Sequence, residues 1–279
     1  MIGVFDSGSG GLTILSAFHK ALPHEDFLYL GDHARTPYGE QSNEKIISMT
    51  QEMVSILFEK NCSLVILACN TASTIALRHL QENWLPSFAP DKRILGVHIP
   101  VVEALTGLTW DRDETKTNIE HGGGTVVVFA TSKTVASGTY SRQVKLRAPN
   151  YILVEQACPH LAQTIENDMN GANTDQLVKK YVAEALQKCQ EPPQAVILGC
   201  THYPLVKDSF KKYLPAGVEI LDQPTLVSNS LQAYLQNHGE FKSKAQDGTL
   251  TYMTTGEPEK IKNFDIMESA KLPQFVALK

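Results

Sequence analysis

Short, unbroken apolar runs recur along the chain at Ile2–Phe5, Phe27–Leu30, Leu64–Leu67, Ile94–Val97, Val126–Phe129, Tyr151–Val154, Ala195–Leu198 and Val218–Leu221, and again near the end at Leu250–Met253. Runs that are continuous rather than alternating suit strands buried on both faces of a parallel sheet. Between them the period changes: Ile46, Met49, Met53 and Leu57 keep helical spacing, as do Leu177, Tyr181, Val182 and Ala185 behind a cap expected at Asn173 or Thr174. Strand alternating with helix predicts doubly wound α/β architecture. From Thr106 to Gly124 the rhythm fails and the sequence reads as an exposed loop, while a short amphipathic helix is expected around Ile261–Phe264.

The pattern also repeats itself. Val65-Ile66-Leu67-Ala68-Cys69-Asn70-Thr71 matches Val196-Ile197-Leu198-Gly199-Cys200-Thr201-His202, and Val4-Phe5-Asp6-Ser7 matches Val128-Phe129-Ala130-Thr131 at a similar offset. One α/β unit used twice accounts for both. The predicted fold is therefore two pseudo-symmetric, doubly wound α/β domains facing each other across an active-site cleft. The first takes 1–97 plus 222–279 and carries Asp6 and Cys69; the second takes 98–221 and carries Cys200 and His202.

Composition narrows the chemistry. The 279 residues carry 25 basic and 30 acidic side chains, a net charge of −5, which offers no cationic field for nucleic acid or anionic lipid. No apolar run approaches a bilayer span, and Asp6 interrupts the first one, so a cytoplasmic chain is expected. Five cysteines, odd in number and scattered, read as free thiols.

Each cysteine motif places polar residues at the carboxyl end of a predicted strand, where open α/β sheets bind ligands. A lone cysteine there is commonly a core filler, but two equivalent ones, each followed by two polar residues, suggest chemistry. The turn Asp6-Ser7-Gly8-Ser9-Gly10-Gly11 fits a small carboxylate as well as a phosphate, or serves as a tight connection; Thr13 replaces the third glycine of a dinucleotide fingerprint. Asp32 and Pro37-Tyr38-Gly39 follow another predicted strand and can present donors to a ligand. Cys200-Thr201-His202 lacks a second clustered ligand pair, so no metal is expected. Two thiols can invert a carbon acid, one removing the α-proton and the other supplying one from the opposite face. Asp6 and His202 are the neighbours placed to tune them.

Phe5-Asp6-Ser7-Gly8, Pro37-Tyr38-Gly39, Ala68-Cys69-Asn70-Thr71-Ala72-Ser73, Gly199-Cys200-Thr201-His202-Tyr203-Pro204 and Thr255-Gly256-Glu257-Pro258 occur in the order in which they stand in bacterial glutamate racemases. The chain thus resembles the aspartate/glutamate racemase superfamily over nearly its whole length. The resemblance implies a cofactor-independent, two-base glutamate racemase supplying D-glutamate for peptidoglycan, acting on a small amino acid, with a homodimer as one assembly of that kind. It implies that Cys69 acts on D-glutamate and Cys200 on L-glutamate, that Asp6 and His202 assist, and that Glu166 orients His202. Asp6, Ser7, Tyr38, Gly39, Asn70, Thr71, Thr131, Thr134, Thr201 and His202 would hold substrate. Aspartate racemisation and a non-catalytic two-lobed binding protein are the rival readings. The chain departs from the pattern at Ser9, where Val is frequent, at His33, where Thr is common, and at His98-Ile99-Pro100, where x-Glu-Pro is usual.

Overall fold

Apolar runs of four residues, too short for a helix core, have become strands; those at Ile2–Asp6, Phe27–Gly31, Leu64–Leu67 and Ala195–Gly199 are buried at every residue, whereas the run at Tyr151–Ala157 lies at a sheet edge and leaves Ile152 58 % exposed, so the two-sided burial expected there is not found. The structure is a computed structural model and describes residues 1–108, 122–243, 247–261 and 274–278. Its strands are β1 (Ile2–Asp6), β2 (Phe27–Gly31), β3 (Leu64–Leu67), β4 (Arg93–Gly96), β5 (Gly124–Ala130), β6 (Tyr151–Ala157), β7 (Ala195–Gly199), β8 (Glu219–Leu221), β9 (Leu250–Thr254) and β10 (Phe275–Ala277). Chain contacts divide the molecule into two units, Met1–Val97 with Val227–Lys279, and His98–Leu226. The later boundary falls inside the helix Gln223–Asn237.

The first unit holds a six-stranded sheet ordered β10-β9-β2-β1-β3-β4, parallel throughout. Every residue of β1, β2 and β3 is buried, as continuous apolar runs require. On one face Ile2, Val4, Phe27, Tyr29, Leu64 and Ile66 pack with Leu15 and Phe18 of helix Leu12–Ala21 and with Val227, Leu231 and Leu235 of helix Gln223–Asn237. On the other, Gly3 lets the helix Asn43–Glu59 come close: a Cβ there would lie 3.1 Å from Leu57 and 3.2 Å from the Cys62 sulfur. That helix is capped by Ser42, whose hydroxyl accepts from the Lys45 amide, and it buries Ile46, Met49, Met53 and Leu57, as their spacing predicts.

The second unit holds a parallel sheet ordered β6-β5-β7-β8. Alternate residues divide between its faces, Val127, Phe129, Val196 and Leu198 on one and Val126, Val128, Ala130 and Ile197 on the other. Helix Ala172–Lys188 buries Tyr181, Val182 and Ala185, but its cap is Gly171, not Asn173 or Thr174. Thr174 lies one turn inside and turns its hydroxyl back onto the Asp168 carbonyl at 2.6 Å. His98 is buried edge-on to Tyr140, and burial pushes its imidazole down to about 3, with Arg142 and Arg147 adding to the effect.

The internal repeat extends to strand register. Val4 and Phe5 pair with Ile66 and Leu67 in the first sheet, while Val128 and Phe129 pair with Ile197 and Leu198 in the second. Of the stretch read as a loop from Thr106 to Gly124, Thr106 closes the helix His98–Thr106 and Gly124 opens β5, whereas 109–121 lie outside the described residues. So does the helix expected around Ile261–Phe264, beyond Ile261 itself. Among the described residues no helix is long and apolar enough to cross a membrane.

Candidate active site

In the first unit, β1 and β3 lie side by side and end together, which brings the Asp6 turn to Cys69. Cys69 is 6 % exposed and precedes the helix Asn70–Ile75, where its sulfur caps the Ala72 amide at 3.5 Å. The Ser7 hydroxyl lies 3.5 Å from the same sulfur. Asn70 and Thr71 occupy that first turn and are buried. Asp6 is buried and accepts from the Gly8 amide at 2.8 Å, which folds the turn around its carboxylate. Gly11 is required there, because a Cβ at that position would stand 2.6 Å from the Asp6 Cβ.

Tyr38 and Gly39 begin a single 3-10 turn, Tyr38–Glu40. The Tyr38 hydroxyl donates to Asp32 at 2.6 Å, so its proton is committed inside the protein. Burial raises the Tyr38 pKa well above the usual phenol range, and the Asp32 charge raises it further. Asp32 is fully buried and also accepts from Arg35 Nε at 2.7 Å and from Thr255 Oγ1 at 2.6 Å. This hub, which joins the loop after β2 to the turn after β9, was not legible from the sequence as such. Asp32 and Thr255 are 223 positions apart, and only the strand order β9-β2-β1 makes them neighbours.

In the second unit β5 and β7 end side by side in the same way. Thr131 caps the helix Ser132–Ser137, its hydroxyl accepting from the Thr134 amide at 3.2 Å and meeting the Thr134 hydroxyl at 3.1 Å. Cys200, Thr201 and His202 follow β7 and are all buried. His202 Nδ1 lies 3.8 Å from the Cys200 sulfur, and its Nε2 lies 2.7 Å from Glu166 Oε1, on helix Leu161–Asp168. Burial opposes a charge on His202, but the hydrogen bonds to Cys200 and Glu166 outweigh it and hold the imidazole pKa well above its usual value. The Glu166 carboxylate accepts from Nε2, and the arrangement runs carboxylate, imidazole, sulfur.

The units therefore differ where the repeat does. Ala130 stands at the counterpart of Asp6, and Thr71 at that of His202. All five cysteines are free thiols. Among the described residues no group of three or more His, Cys, Asp or Glu side chains is arranged to hold a metal ion.

The sequence model of the Asp/Glu/Hydantoin racemase family matches residues 2–229. The glutamate racemase of Roseobacter denitrificans is 42 % identical over 93 % of this chain and 93 % of its own. That of Paracoccus denitrificans is 41 % identical over 99 % and 96 %. Among solved structures, the glutamate racemase of Francisella tularensis in complex with D-glutamate superposes with a TM-score of 0.82 at 29 % identity, covering 100 % of this chain and 97 % of that one.

Proposed function

The chain belongs to the Asp/Glu/Hydantoin racemase family, and on that premise we propose that it interconverts L- and D-glutamate without a cofactor, using Cys69 and Cys200 as the two bases, and supplies D-glutamate for peptidoglycan. Glutamate is the substrate named for relatives that match it along almost their entire length. The observation that carries the two-base reading is the equivalence of the thiols: each follows the second of two paired strands held in the same register, and each has polar partners at the sulfur.

Inversion needs a base on one face of the α-carbon and an acid on the other. In the D-to-L direction the Cys69 thiolate takes the α-proton and the Cys200 thiol returns one; in the other direction the roles exchange. Ser7 and the Ala72 amide stabilise negative charge on Cys69. On the Cys200 side the imidazolium of His202 does so, held in place by Glu166. Asp6 assists proton transfer beside Cys69. Ser7, Tyr38, Gly39, Asn70, Thr71, Thr131, Thr134 and Thr201 hold the two carboxylates and the ammonium group. The protein works in the cytoplasm on free amino acid, with neither nucleic acid nor membrane as partner, and a homodimer is the assembly to test by light scattering.

Purified protein is given L-glutamate, D-glutamate and L-aspartate in turn, with no cofactor, and ellipticity is followed. Both glutamate signals should decay to zero while aspartate persists; decay with aspartate alone, or with neither, overturns the assignment. Cys69→Ser and Cys200→Ser should each lower kcat by about 10²-fold or more, since a hydroxyl ionises far less readily than a thiol. In deuterated water, product formed early should carry solvent deuterium at the α-carbon, whereas return of the original hydrogen would refute two bases.

A further inference from the structure

Two polar side chains on different strand-end turns, Ser9 and His33, meet in space. The Ser9 hydroxyl lies 3.0 Å from His33 Nε2, although 24 positions separate them. On the other side of the ring, Nδ1 lies 2.9 Å from the Thr254 hydroxyl and 3.2 Å from the Gly31 carbonyl. Both ring nitrogens thus have hydrogen-bond partners, Nε2 at Ser9 and Nδ1 at Thr254 and Gly31. The imidazole is firmly seated. Phe275 stands edge-on to it with centroids 5.4 Å apart, a Cβ at Gly31 would lie 2.3 Å from its Cε1, and one at Gly256 would lie 3.0 Å from the His33 Cβ.

His33 thus ties together the turns that follow β1, β2 and β9. The turn after β1 carries Ser7, follows directly on Asp6, and is also anchored by the Tyr29 hydroxyl, which donates to the Gly8 carbonyl at 2.7 Å. We propose that His33 is a positioning residue for proton transfer at Cys69: through Ser9 it fixes the turn that folds onto the Asp6 carboxylate and holds the Ser7 hydroxyl on the Cys69 sulfur. This rests on the reading of Cys69 as a catalytic base. Ser9 and His33 then form one device.

The test uses His33→Ala, Ser9→Ala, the double variant, and His33→Gln, whose amide keeps an acceptor and a donor. Each is assayed for kcat and KM in both directions, and for hydrogen exchange of the full-length protein at the peptides covering 5–13. The amides of Gly8, Leu12 and Thr13 report on the turn there, since they bond to Asp6, Ser9 and Gly10. His33→Ala and Ser9→Ala should each lower kcat roughly 5- to 10-fold with KM within about twofold, and speed exchange in the turn. The double variant should be no slower than the worse single one, the mark of a shared interaction, and His33→Gln should recover most of kcat. Unchanged kcat, a change in KM alone, unaccelerated exchange in the turn, or additive losses each overturn the proposal. If wild-type protein racemises no glutamate, the functional reading fails instead, and the exchange measurements still decide whether His33 holds the turn.

Discussion

Replacing Glu166 by Gln removes a charge and little else. The amide keeps an oxygen at the same reach, so it can still accept from His202 Nε2, now 2.7 Å from the carboxylate, and helix Leu161–Asp168 is not disturbed. What is lost is the difference between a charge-assisted hydrogen bond, worth about 1.5–3 kcal/mol, and a neutral one, worth about 0.5–1.5 kcal/mol. The His202 side chain is 9 % exposed and that of Glu166 29 %, so water replaces little of the missing charge. A loss of about 1–1.5 kcal/mol lowers the His202 pKa by roughly one unit, at 1.36 kcal/mol per unit. The alkaline limb of kcat/KM, which reports loss of the imidazolium that supports Cys200, should move down by about one pH unit, and kcat at the plateau should fall roughly 5- to 10-fold. Because the enantiomers have equal free energy, kcat/KM must fall by the same factor in both directions. Stability supplies an independent sign. The folded pKa of His202 is raised, so its contribution is present below the unfolded imidazole value of about 6.5 and is lost as pH rises through the folded value. The gap in Tm between wild type and Glu166→Gln should therefore be widest between about pH 5 and 6.5 and close as the solution becomes alkaline. Racemisation followed by circular dichroism from pH 6 to 10, with an NMR titration of the His202 ring, reads both quantities. If the limb and the ring titration both stay within about 0.3 unit of wild type, the carboxylate does not hold the imidazolium and the reasoning fails.

Two other substitutions probe the scaffold. Gly11→Ala forces a Cβ to within 2.6 Å of the Asp6 Cβ, so the turn must shift; we expect a loss of about 1–3 kcal/mol in denaturant unfolding together with a lower kcat, and a variant as stable and active as wild type would refute the close packing. Asp175 accepts from Tyr213, Ser209 and Lys212, with the Tyr213 hydroxyl the strongest of the influences that pull its carboxyl down to about 2. The stability this gives is present above the ordinary aspartate value and is lost as pH falls through about 2. Asp175→Asn should accordingly melt below wild type at pH 7, with the gap closing as the pH is brought from 4 towards 2, and a gap independent of pH would contradict the assignment.

Much of the fold was legible as period. A buried parallel strand must be apolar on both faces, so β1, β2, β3 and β7 show as uninterrupted runs, and the helix Asn43–Glu59 shows as Ile46, Met49, Met53 and Leu57. β10 did not, because three residues at the edge of the sheet, with Val276 56 % exposed, have no pattern of their own and owe their conformation to pairing with β9. The cap of helix Ala172–Lys188 was misplaced for a related reason: Thr174 is a good capping residue, but the Asp168 carbonyl lay within its reach and took its hydroxyl.

The sequence by itself determined the class of fold, the strand-end position of both cysteines and, through the repeat, their equivalence. All of these depend on residues near one another along the chain, where backbone geometry alone decides which side chains share a face. The tertiary structure decided the partners. That β9 lies beside β2 puts Thr255 on Asp32 and Thr254 on His33. That helix Leu161–Asp168 reaches the end of β7 gives His202 its carboxylate, 36 positions back in the chain. Strand order and register follow from how whole faces pack, a property of many residues at once, so a contact across hundreds of positions leaves no local periodicity to read.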